Sequence, residues 1–140
     1  AAELHQQNLA EYERVLGPDH PTTLTSRNNL ANTLSELGEH RQAAELHQQN
    51  LAEYERVLGP DHPTTLTSRN NLANALSELG EHRQAAELHQ RTLADRERIL
   101  GPDHPDTLAS RNNLANAQGR LAAAGRQRRW WQLPRPRREA

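Results

Sequence analysis

Cysteine is absent from this chain, so no disulfide staples it and no thiolate serves as nucleophile or metal ligand; the redox compartment stays open. Lysine is absent too: the 17 basic residues are all arginine. Together with the abundance of Ala, Leu and Gly-Pro, that points weakly to a GC-rich bacterial source. No apolar run approaches the roughly 20 residues of a membrane span. No signal peptide leads the chain and its first residue is not Met, so a fragment or processed chain, cytoplasmic and without a membrane partner, is expected. No period-2 alternation marks a strand anywhere.

What the chain does contain is Leu16-Gly17-Pro18-Asp19-His20-Pro21, three times over. The segment returns at Leu58–Pro63 and Leu100–Pro105, a period of 42 residues. A fixed period in this range marks a solenoid or array. Units 1–42 and 43–84 differ only at Thr33 against Ala75; 85–126 is a more diverged third unit, and 127–140 belongs to none. In such arrays each unit touches only its neighbours, so the core is a seam along the stack. The net charge of −1 hides a gradient. Each of the first two units carries six acids and three arginines, the third five acids and six arginines, and the tail five arginines and one glutamate. One end is acidic and the other basic, a polarity that favours head-to-tail contact, although salt screens exposed charges beyond about 10 Å at 0.1 M.

Each unit reads as two helices. Pro21 suits a first helical position, where its missing N–H has no partner to lose; Asp19 or His20 then stands at the N-cap. Leu24, Leu30, Ala31, Leu34 and Leu37 fall on one helical face, and Gly38 ends this helix A in a left-handed cap. A second periodic stretch, helix B, carries Ala43, His47, Asn50, Leu51, Tyr54, Val57 and Leu58 and stops at Gly59-Pro60. The order is B-A-B-A-B-A over 1–16, 21–37, 40–58, 63–79, 82–100 and 105 to about 121. The small pair Ala31 and Ala43 lets helices A and B of a unit approach closely. In the third unit Gln118 replaces Leu34 and Leu76, and Ala122 replaces the turn glycine. No recognisable helix B follows.

These residues resemble the tetratricopeptide repeat. Leu30, Ala31, Leu34 and Ala43 fill the Leu, Gly, Tyr and Ala places of its pattern W-x₂-L-G-x₂-Y…A at the right spacing. Arg27 stands at the Trp place, His47 at an aromatic and Glu55 at the Pro. The long helix B, the 42-residue period, L-G-x-D-H-P between units and N-N-L-A in helix A resemble the kinesin light chain type. Similar arrays occur in bacterial signalling proteins, often behind a nucleotide-binding module that this sequence lacks. The resemblance implies an all-α solenoid, a right-handed superhelix of antiparallel helix pairs over residues 1–126, with A helices lining a concave groove.

The eight histidines recur by unit: His5, His47 and His89; His20, His62 and His104; His40 and His82. A residue present in every unit serves the unit, so no catalytic residue, metal site or cofactor is expected. His47 is expected to pack between helices and Asp19-His20 to serve the turn. The functional signal is asparagine. Asn28 and Asn32 lie at i and i+4 on one face and recur as Asn70 and Asn74, then Asn112 and Asn116. By the resemblance they point into the groove, where an amide, both donor and acceptor, bonds an extended peptide. The competing reading is hydrogen-bond glue between units, also open to Asn29, Asn71 and Asn113. Arg69 and Arg111, equivalents of Arg27, are further partner-contact candidates for acidic ligands, against a solvated surface.

The tail, 127–140, combines five Arg with Trp130 and Trp131. That composition suits phosphate and stacking contacts, but the segment is short and nucleic acid is disfavoured. It is expected to be disordered or packed on the last helix. The function expected is a non-catalytic scaffold for a peptide or protein partner. The alternative is a structural module that stacks head-to-tail as a homo-oligomer, the helix B at 1–16 of one copy completing the last helix A of the next.

Overall fold

The computed structural model describes residues 1–132 and Pro134. Six helices follow in chain order: α1 (Ala2–Leu16), α2 (Pro21–Glu36), α3 (His40–Leu58), α4 (Pro63–Glu78), α5 (His82–Leu100) and α6 (Pro105–Gln132). Each packs chiefly on its sequence neighbours. The result is an all-α solenoid in which α2, α4 and α6 are the A helices and α1, α3 and α5 the B helices.

Side chains and backbone set the helix ends. His20, not Asp19, is the N-cap of α2: its Nδ1 accepts the Thr22 N–H at 3.2 Å, with Pro21 at the first helical position. His62 and His104 repeat the bond to Thr64 and Asp106 at 3.1 Å. Each ring therefore caps as the tautomer with an unprotonated Nδ1. At the other end Gly38, with φ 83°, closes a Schellman turn. Its N–H donates to Ser35 O and the Glu39 N–H to Leu34 O, at 3.0 and 2.8 Å. Asp19 is released for a different task, an ion pair of 2.7 Å with Arg56 of the next unit; Asp61 pairs likewise with Arg98. Both pairs are solvent-exposed and add little stability.

The seam is built from small and branched residues. Leu24, Leu30, Ala31 and Leu34 are buried, with Leu9 of α1 and Ala43 of α3 completing a cluster around Leu30 and Leu34. Ala31, Ala43, Ala73 and Ala85 have no exposed surface. Leu37, expected on the same face, is exposed: it is the C-cap, beyond the last helical turn. Val57 and Leu58 are also exposed at the end of α3.

Polar groups tie the helices across the seam. Arg27 is buried, and its guanidinium reaches both flanking B helices: Asn50 Oδ1 of α3 at 3.2 Å and Glu13 Oε1 of α1 at 3.0 Å. Asn50 in turn donates to the Leu24 carbonyl at 3.1 Å. Arg69, only 2% exposed, repeats the pattern with Asp95 of α5 at 2.7 Å and Glu55 of α3 at 3.9 Å. Burial alone would raise the Asp95 pKa, but the hydrogen bond and charge of Arg69, with Arg98 beside it, hold the carboxyl below its usual range. In the third unit Arg96 takes the place of Tyr54 and is itself buried, donating to Ser110 Oγ at 2.7 Å and the Asp106 carbonyl at 3.2 Å.

The last helix departs from the expected end near Leu121. With Ala at 122 no residue of α6 takes the positive φ of a Schellman turn, and Gly119 and Gly125 stay helical. Alanine is the strongest helix former, so α6 runs straight on through Trp131 to Gln132. Residues 127–132 of the tail are thus helical, whereas 133 and 135–140 lie outside the described residues.

Two outcomes test this packing. Ala73→Leu forces extra methylenes into the sealed α4–α5 contact and is expected to cost about 1–3 kcal/mol; an unchanged thermal melt would contradict the assigned faces. Arg69→Ala leaves Asp95 with only its 3.4 Å contact to Arg98 and is expected to cost about 3 kcal/mol, the low end for a broken buried pair because Asp95 keeps that contact and some water. Arg111→Ala, at an exposed pair, should cost about 0–1 kcal/mol. Urea denaturation giving equal losses would put the two arginines in the same role.

Candidate functional site

Between successive A helices lie two cavities that repeat at the 42-residue period. The first, about 360 Å³, has walls from α2 and α4 and a floor from α3; Asn32, Asn71, Asn74, Glu36, Glu78 and His47 line it. The second, about 240 Å³, lies between α4 and α6 over α5; Asn74, Asn113, Asn116, Glu78, Arg120 and His89 line it. Helical spacing produces the match. Asn32 and Glu36 stand at i and i+4 and share a face of α2, as do Asn74 and Glu78 on α4 and Asn116 and Arg120 on α6.

The asparagines divide into two sets. Asn71 Nδ2 donates to Asn28 Oδ1 at 3.2 Å, and Asn113 Nδ2 to Asn70 Oδ1 at 2.9 Å. Asn28 and Asn70 are thereby rungs of a ladder joining A helix to A helix, and their amide oxygens are engaged. Asn32, Asn74 and Asn116 are exposed and make no side-chain hydrogen bond among the described residues, so their amides open into the cavities. Asn112 is exposed on α6 and lines neither cavity.

The arginine candidates fall elsewhere. Arg69 lies in the interior, its guanidinium on Asp95, Glu55 and, at 3.5 Å, the Pro60 carbonyl. Its position in the N-terminal half of α4 puts it between the B helices and off the cavity wall, so it is corrected from partner contact to inter-helix tie. Arg111 is 49% exposed and bonds Glu97 at 3.3 Å, also away from both cavities.

Sequence reasoning missed the cavity charges. Glu36 and Glu78 sit one turn beyond Asn32 and Asn74, and Arg120 takes the third place; the change of sign was visible as a difference between units. Arg120 Nη1 donates to Ser77 Oγ at 3.1 Å and lies 3.7 Å from Glu78. His47 and His89, each 3% exposed, form the floors, and their Nδ1 atoms are buried without a partner. Burial pushes both imidazole pKa values down, so the rings are neutral at pH 7. Among the described residues no group of three or more His, Asp or Glu is placed to hold a metal ion, and no helix is long and apolar enough to cross a membrane. Neutral amides, carboxylates and one guanidinium around an open trough suit reversible recognition of polar chains.

The tetratricopeptide repeat family model matches residues 1–22, 23–64 and 65–106. No curated protein matches the chain. Among solved structures, the nearly identical TPR-like repeats assigned to a kinesin light chain in Podosopora anserina are 30% identical, with a TM-score of 0.79 over 94% of this chain and 62% of that one. A variant of the same protein superposes with a TM-score of 0.80 at the same identity and coverage. BtubC (BKLC) from P. vanneervenii shares the fold at 22% identity, with a TM-score of 0.71 over 99% of this chain and 60% of that one. The chain thus spans less than two thirds of the length of these relatives. The tetratricopeptide repeat is a non-catalytic scaffold generally used for protein interaction. With the 42-residue period, the antiparallel helix pairs and these matches together, the chain belongs to the tetratricopeptide repeat family, in its kinesin light chain type.

Proposed function

We propose that the chain is a non-catalytic scaffold that holds an extended peptide, free or as part of a protein partner, in the groove lined by α2, α4 and α6. One observation carries the reading: Asn32, Asn74 and Asn116 present unspent amide donors and acceptors at one-unit intervals along two stacked cavities. A peptide backbone offers the complementary groups at regular spacing. The ladder of Asn71 on Asn28 and Asn113 on Asn70 supports the same reading, since it fixes the helices that carry the free amides. Neither cofactor nor metal enters it. Selection of a random peptide library on the intact chain should enrich binders that lose about tenfold in affinity when Asn32, Asn74 and Asn116 are all changed to Ala, the scale of one or two lost hydrogen bonds. Binders indifferent to the triple change would contradict the groove.

A second reading, head-to-tail stacking, rests on α6. Leu108 is 43% exposed where its equivalents Leu24 and Leu66 are 2%, and Ala115 is exposed where Ala31 and Ala73 are sealed. The same face of α2 is covered by α3, and α1 has the sequence of Ala44–Leu58 in α3. A second copy's α1 therefore carries the residues that this face of α6 accepts. Sedimentation velocity should then show growth with concentration that Leu108→Glu abolishes; a single monomeric species at all concentrations would rule the stacking out.

A further inference from the structure

The two cavities share an architecture and differ in charge: two carboxylates line the first, a carboxylate and a guanidinium the second. In the first, Glu36 of α2 and Glu78 of α4 line the same cavity as His47 of α3. Glu36 makes no ion pair among the described residues, and the unpartnered Nδ1 of the buried His47 lies beneath the pair. In the second, Arg120 stands where Glu36 and Glu78 stand in the earlier units and neutralises Glu78 at 3.7 Å. Beyond it a shelf between α5 and α6 brings Arg120 and Arg126 together with His82. The trough therefore runs from two carboxylates to two guanidiniums over one to two units.

Resting on the groove reading, the geometry points to an ordered ligand: an extended peptide that places a lysine or arginine side chain between Glu36 and Glu78 and a carboxylate against Arg120 and Arg126. A cation in the first cavity gains a charge-assisted contact to Glu36, which makes no ion pair among the described residues, and a second to Glu78 in place of its 3.7 Å pair with Arg120. A carboxylate near Arg120 replaces the long contact to Glu78 and accepts from a planar guanidinium donor suited to it. Packed helices lie about 8–10 Å apart and an extended chain advances about 3.3 Å per residue. From midway between α2 and α4 to α6 is one and a half such spacings, about 12–15 Å, so the two charges of the ligand are separated by about four residues. A ligand of one sign throughout meets repulsion at one end of the trough, which is how the site rejects it.

The test is fluorescence anisotropy with four sets of short synthetic peptides on a common uncharged sequence. One set carries a lysine and a glutamate at that spacing in either order; the others carry two lysines, two glutamates or no charge. The wild-type chain should prefer one order of the mixed pair over every other set by about tenfold, the scale of one charge-assisted hydrogen bond. Arg120→Glu converts the second cavity into a copy of the first and should transfer the preference to the two-lysine peptide. Both Arg120 and Glu78 are about half exposed, so the folded chain tolerates the change; circular dichroism of the variant checks this. Preference for two glutamates, or a mixed-pair preference that survives Arg120→Glu, overturns the assignment. Equal binding to all sets that is lost on Asn74→Ala overturns the charge assignment and leaves the groove standing. Absence of binding to every set overturns both.

Discussion

A guanidinium with almost no access to water, held in place by two helices it does not belong to, is the constraint on which this solenoid depends. Arg27 bridges α1 and α3, and Arg69 bridges α3 and α5, each from an A helix between them. A buried cation is tolerable only with good geometry and satisfied neighbours. Each arginine therefore fixes the angle and register of three consecutive helices, at the place where the general repeat pattern has tryptophan. An apolar ring would fill the same volume without demanding partners at set distances. The carbonyls of Pro18 and Pro60 at 3.5 Å bring the inter-unit loop into the same arrangement.

Fixed register is what makes a groove out of separate helices. With α2, α4 and α6 held side by side, asparagines from adjacent units come within hydrogen-bond distance and form rungs, and the exposed amides one turn further on line up along the two cavities. Equal units would give equal cavities. The third unit breaks the equality at Arg120, and the same unit loses the glycine that would have turned α6 back. Divergence in the last unit thus changes both the charge of the trough and the length of its wall.

Much of this was legible in the residues. The period, the alternating long and short helices and the glycine stops came from spacing and from the restricted chemistry of Gly and Pro, which acts locally. Two features were not legible, because they depend on burial. A sequence shows that Arg27 and Arg69 recur, but whether such a side chain faces solvent or a neighbouring helix is decided by packing, so Arg69 read as a partner contact. Asn28 and Asn32 look equivalent on one helix face; only the approach of α4 engages the first and leaves the second free. The end of α6 is hidden in the sequence for a different reason. The loss of a glycine at 122 reads as decay of the repeat, whereas physically it removes a stop signal and lets the helix continue.

By the proposed function the ligand face is the trough between the A helices and not another surface. Side-chain amide signals in a ¹H–¹⁵N NMR titration with a short lysine-and-glutamate peptide test it most directly. Shifts at Asn32, Asn74 and Asn116 that saturate together are expected, with Gln48 and Gln84 in the hollow between α3, α4 and α5 unmoved. Saturable shifts centred on Gln48 and Gln84, with the three asparagines silent, would contradict it.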